Sequence, residues 1–82
     1  MDIMKTDDQR NVICGGDPEN YLKAYLKGLY FDLDDGEEIR IIFLSEKFPF
    51  NDEKFGQMVN AAKLKLSEYK DSGKEKELIV KK

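Results

Sequence analysis

Leu29-Tyr30-Phe31-Asp32-Leu33, then Asp34-Asp35-Gly36-Glu37, then Glu38-Ile39-Arg40-Ile41-Ile42-Phe43-Leu44-Ser45 carries the strongest local signal in the chain. Asp-Gly between two apolar runs marks a hairpin, because these residues tolerate positive φ. The spacing predicts one strand over 29–33 and a second over 38–45. On the second, Ile39, Ile41 and Phe43 point one way, and Arg40, Ile42 and Leu44 the other. Its far half is apolar on both faces, which a sheet packed on one side does not require.

Upstream, Asn11-Val12-Ile13-Cys14 reads as a short strand stopped by Gly15-Gly16. Asp17-Pro18-Glu19 then opens a helix, with a capping acceptor, a proline suited to the first turn and an acid at the positive end of the dipole. Leu22, Tyr25, Leu26 and Leu29 follow at helical spacing, although Gly28 weakens the helix near its end. The competing reading makes Tyr25 to Leu33 one long strand.

Downstream, Phe48-Pro49-Phe50 breaks the chain and Asn51 caps a second helix. Phe50 and Phe55 occupy the positions of a hydrophobic staple. Phe55, Met58, Val59, Ala62, Leu66 and Tyr69 form a stripe that predicts one long helix over 52–71, ended by Ser72-Gly73. Leu78-Ile79-Val80 reads as a closing strand. The expected fold is α+β: a small antiparallel sheet with one long C-terminal helix packed on it, in the order βαββαβ of ferredoxin-like domains. If residues 21–28 are strand, it becomes a ββαβ-type sheet with a single helix. Residues 1–9 read as a flexible N-terminal arm and 10–82 as a single domain.

The 82 residues are 40% apolar and 38% charged, with a net charge of −3. The apolar residues fall in periodic blocks, so the charge load belongs to a folded domain rather than a disordered chain. With one cysteine, no internal disulfide forms. No apolar run marks a signal peptide or a membrane span, so the expected setting is cytoplasmic, with no membrane partner. Residues 17–38 hold seven carboxylates against two lysines, and residues 63–82 hold seven lysines against four acids.

No catalytic, cofactor or metal residues are expected. Histidine is absent, so the usual base near neutral pH is missing. Cys14 in a strand behaves as a small hydrophobe. The Gly15-Gly16 turn could precede an anion site, but Asp17 would fill it and Pro18 removes a donor. The acidic turn does not match the calcium-loop spacing. The third strand lacks the aromatic pattern of RNA-recognition modules, and the acidic net charge argues against nucleic-acid binding.

Beyond what folding demands, the acidic turn and the adjacent apolar strand face are left over. The expected function is therefore non-catalytic: a small interaction or inhibitor module whose partner protein carries a basic surface. Asp32, Asp34, Asp35, Glu37 and Glu38 would supply charge, and Tyr30, Ile42 and Leu44 apolar anchoring. Small acidic proteins of phages and mobile elements block basic sites of host enzymes in this style, a parallel of manner and not of sequence. The first alternative is a homodimeric structural or accessory domain in which Tyr30, Ile42 and Leu44 meet their symmetry mates. The second, ranked below it, is a nucleic-acid-binding accessory protein whose basic tail, Lys74, Lys76, Lys81 and Lys82, touches phosphate.

Overall fold

The computed structural model describes residues 4–13 and 15–82. Its elements run β1 (Lys5–Asp8), α1 (Pro18–Asp32), β2 (Glu38–Leu44), α2 (Asp52–Ala61), β3 (Lys65–Asp71) and β4 (Glu75–Lys81). The fold is α+β, with two helices and, among the described residues, a four-stranded sheet in the order β1-β2-β4-β3. The sheet is mixed: β1 pairs with β2 in parallel, while β2 with β4 and β4 with β3 are antiparallel.

The α1 helix starts where its caps require. The Asp17 carboxylate accepts from the Asn20 amide at 3.1 Å, and Pro18 occupies the first turn. Leu22, Leu26, Leu29 and Leu33 are all buried and recur every three or four residues. That stripe outweighs the strand preference of Tyr30-Phe31. Residues 29–32 are thus the last turn of α1 and Leu33 its cap, not a strand. The expected hairpin through Asp34–Glu37 is corrected to a helix-to-strand turn. The expected β2 forms, with Ile39, Ile41 and Phe43 buried.

The expected cap and staple of α2 are both present. Asn51 accepts from the Lys54 amide at 2.8 Å, and the Phe50 and Phe55 rings meet edge to face at 5.6 Å. The helix stops at Ala61, ten residues long, instead of running to 71. Lys63 takes a left-handed conformation at φ 64. Its amide donates to the Asn60 carbonyl at 3.0 Å, and the Leu64 amide donates to the Val59 carbonyl at 3.1 Å. This pair of bonds is the Schellman termination. Residues 65–71 then form β3, so the long C-terminal helix is corrected to a short one followed by two strands. Ser72-Gly73 serves the β3–β4 turn, with the Ser72 amide donating to the Glu75 carbonyl at 3.0 Å and Gly73 at φ 92.

The N-terminal strand forms at Lys5–Asp8, inside the segment expected to be a flexible arm. Asn11, Val12 and Ile13 are loop, and Cys14 lies outside the described residues. A strand reading KTDD has no apolar period to betray it. It is fixed by its ladder to β2 and by the Tyr25 hydroxyl, which donates to Asp7.

The core lies between the helices and one sheet face. Phe43 is at its centre, with ring centroids 4.7 Å from Phe48 and 6.0 Å from Phe55. Lys76 is only 7% exposed, and its ammonium donates to the Phe48 carbonyl at 3.0 Å and the Phe50 carbonyl at 2.7 Å. These bonds draw the loop after β2 toward the core. The opposite face of the sheet keeps its polar side chains, with Arg40 and Glu68 exposed and Glu75 and Glu77 half-buried.

Candidate functional site

The acidic turn begins where α1 ends. Leu33 is buried, and its amide donates back to the Leu29 carbonyl at 3.0 Å, which holds the chain against the core at this point. The Asp34 amide then donates to Glu37 Oε1 at 2.9 Å, while the Glu37 amide donates to the Asp34 carbonyl at 2.9 Å. Gly36 sits at φ 82, a conformation a side chain would strain. Its amide donates to the Lys82 carbonyl at 2.9 Å, and the Lys82 amide donates to the Glu37 carbonyl at 3.0 Å. The turn is thus tied to the end of β4.

Within this frame the five carboxylates divide. Glu37 is a turn-forming residue: besides Asp34, it meets the Lys5 ammonium at 3.0 Å. The backbone bond from Asp34, then Lys5, holds its carboxyl below the ordinary glutamate range. Glu38 stands half-buried on β2, opposite Lys81 in the ladder. Asp32, Asp34 and Asp35 are exposed and form no ion pair among the described residues.

The apolar residues expected beside them separate. Tyr30 is half-buried on α1, with the Lys82 ammonium 4.3 Å from its ring centroid. Ile42 and Leu44 are half-buried on the sheet face turned away from the helices. The sheet lies between Tyr30 and those two, so the expected three-residue patch does not assemble.

Phe31 takes the place of that patch. It is 77% exposed, immediately before Asp32, and its ring meets Tyr30 edge to face at 5.4 Å. The sequence signal for it is geometric. Once Leu22, Leu26, Leu29 and Leu33 define the buried stripe of α1, position 31 falls on the opposite side. The strand reading of 29–33 concealed that.

The open sheet face is the other surface of interest. The Arg10 guanidinium bridges Asp8 at 2.6 Å and Glu75 at 2.8 Å, and Arg40 meets Glu77 at 2.7 Å. The hydrogen bonds from Arg10 hold the Asp8 carboxyl at about 2. Shallow depressions of about 70 and 90 Å³ lie between these groups, the second lined by Ile42, Lys70, Ser72, Glu75 and Glu77. Both signs alternate across this face, and its aliphatic residues sit between them.

Among the described residues, no group of three or more His, Cys, Asp or Glu is placed to hold a metal ion. No helix among them is long and apolar enough to cross a membrane. Comparison with protein-family models, curated proteins and solved structures returns no match.

Proposed function

We propose that this protein is a non-catalytic interaction module that presents the α1–β2 junction to a basic surface of a partner protein. The observation that carries this reading is Phe31, a large aromatic side chain 77% exposed beside three carboxylates that form no ion pair among the described residues. Aromatic side chains are enriched among the residues that dominate interface energetics. Carboxylates around such an anchor favour a lysine- and arginine-lined surface and speed encounter with it. By filling such a surface the module would block it, which is the action of an inhibitor.

The turn suits this role mechanically. It is tied to β1 through the side-chain ion pair Lys5–Glu37 and to β4 through backbone bonds with Lys82, so the tip is presented on a braced loop. A preorganised loop loses less conformational freedom on binding.

The test compares captures from a cell lysate on the immobilised protein. Phe31→Ala and the double change Asp34→Lys, Asp35→Lys alter the tip. Glu46→Lys with Glu53→Lys alters exposed acids elsewhere. A protein retained by the wild type and by the second pair, and lost with both tip variants, supports the reading. The same retained set on all four baits refutes it.

A further inference from the structure

Every residue of β1, Lys5-Thr6-Asp7-Asp8, is polar, and none is fully buried. It is an edge strand, paired only with β2 among the described residues. The elements around it carry the core. What fixes β1 and the residues just after it is a set of side-chain sockets. Lys5 meets Glu37 at 3.0 Å, and the Tyr25 hydroxyl donates to Asp7. The Tyr21 hydroxyl donates to Gln9 Oε1 at 2.6 Å, and Arg10 reaches Glu75 at 2.8 Å. The Gln9 amide donates to the Ile42 carbonyl at 2.8 Å. Between Arg10 and α1 lies a loop that includes Gly15 at φ 61 and Gly16 at φ 84, where no described residue comes within 4 Å of an added Cβ.

We infer that β1 is an exchangeable strand, and that the β2 edge it covers is a docking site for β1 of a second copy of this chain. Two points carry this. Among the described residues, 5–10 can leave without removing an apolar core side chain, Gln9 being the one buried residue of the segment, so its release is a local opening and not global unfolding. The vacated edge, with Glu37, Tyr25, Tyr21 and Glu75 around it, is complementary to a known sequence: residues 5–10 of the same chain. Exchange of an identical element between copies costs little, because every interaction given up within a chain is remade between chains. The intrachain strand competes at an effective concentration on the order of millimolar, so the paired form gains ground as the protein is concentrated. Such a pair would carry two copies of the Phe31 tip. The exchange itself does not depend on the reading of that tip.

Single-cysteine variants test it directly. Thr6 and Arg40 are Cα partners in the β1–β2 ladder, and both are exposed. With Cys14→Ser in every chain, Thr6→Cys in one chain and Arg40→Cys in another can form a disulfide only between molecules. The two are mixed at millimolar concentration, incubated, diluted and oxidised. Thr6→Cys with Gln57→Cys, an exposed position on α2, reports random collision. The expected yield of the 6–40 bond exceeds that of the 6–57 bond by about tenfold or more. Equal yields overturn the proposal. Hydrogen exchange on the unmodified protein gives a second reading. The Gln9 amide is expected to exchange about a hundredfold faster than the amides that join β2 to β4. Equal rates would mean that β1 leaves only when the whole molecule unfolds, and that overturns it too.

Discussion

Lys76 keeps a cation in the core by giving it carbonyls. Its ammonium is bonded to the Phe48 and Phe50 oxygens and lies 5.7 Å from the Phe55 ring centroid. The flexible stem fills apolar space while the head satisfies two carbonyls of the loop after β2. Lys76→Met keeps the stem and removes the donors. It should lower stability by about 1–3 kcal/mol, the range for leaving buried polar groups unpaired. Urea unfolding checks this, with the midpoint shifted and the slope unchanged. Asp8 gives a second prediction at this scale. Arg10 lowers its carboxyl from 3.8 to about 2. A carboxyl depressed in the folded state contributes stability above its unfolded pKa, and that contribution fades as pH falls through the folded value. Acid titration should therefore cost the fold progressively from just above pH 4 toward about 2, with Glu19 and Glu37 depressed in the same direction. In Arg10→Met, the Asp8 carboxyl resonance should titrate near its ordinary value. A titration unchanged from the wild type would show that Arg10 is not the cause.

At the scale of elements, local rules reach some features and miss others. Both N-caps, the staple, β2 and the closing strand follow from such rules, and the structure has them. Most departures share one physical origin: a correct local signal assigned to the wrong neighbour. Asp35-Gly36 is a turn, but between a helix and a strand. Ser72-Gly73 is a stop, but within the β3–β4 hairpin. Leu66 and Tyr69 fit the helical stripe of α2, yet they line the core from β3, where a register shift between Leu66 and Glu68 hides the two-residue period. The break that separates the two readings is Lys63, a residue with no reputation for ending helices. Its left-handed backbone costs a side chain roughly 1–2 kcal/mol, a penalty that glycine avoids. Lys63→Gly should therefore stabilise the protein by up to about 1 kcal/mol, after the extra freedom glycine gains in the unfolded chain is deducted. Thermal unfolding measures it. A destabilised variant would mean that the lysine side chain itself supports the turn. β1 was illegible for a different reason. Its partners lie on α1, β2 and the turn between them, and no local window of sequence contains them all.

Over the whole molecule, the fold rearranges the charge that the sequence lays out in blocks. The lysine-rich end does not form a basic pole. β4 runs back along β2, which sets Lys81 opposite Glu38 and lays Lys82 over Tyr30. On the open sheet face Arg10, Arg40 and Lys70 are interleaved with Asp8, Glu68, Glu75 and Glu77, so that face is largely neutralised from within. A dimer across it would have to desolvate those ion pairs, a cost that burial rarely offsets in full. The candidate site was therefore half legible: the acids were readable from composition, and their aromatic partner was not, because it depends on which face of α1 is buried. The acids and the aromatic should also separate kinetically. Exposed charges act over a distance of about 10 Å at 0.1 M salt, so Asp32, Asp34 and Asp35 should govern the approach of a basic partner. Raising salt from about 0.05 to 0.5 M should slow association roughly tenfold or more and change dissociation little. Phe31 acts only on contact. Phe31→Ala should leave association within about threefold and speed dissociation by at least tenfold, as removal of a central anchor does. Because Phe31 is so exposed in the free protein, the same change should alter folding stability by no more than about 0.5 kcal/mol. Surface binding kinetics against the captured partner read both effects. Association that ignores salt would remove the acids from the interface, and dissociation unchanged in Phe31→Ala would remove the anchor.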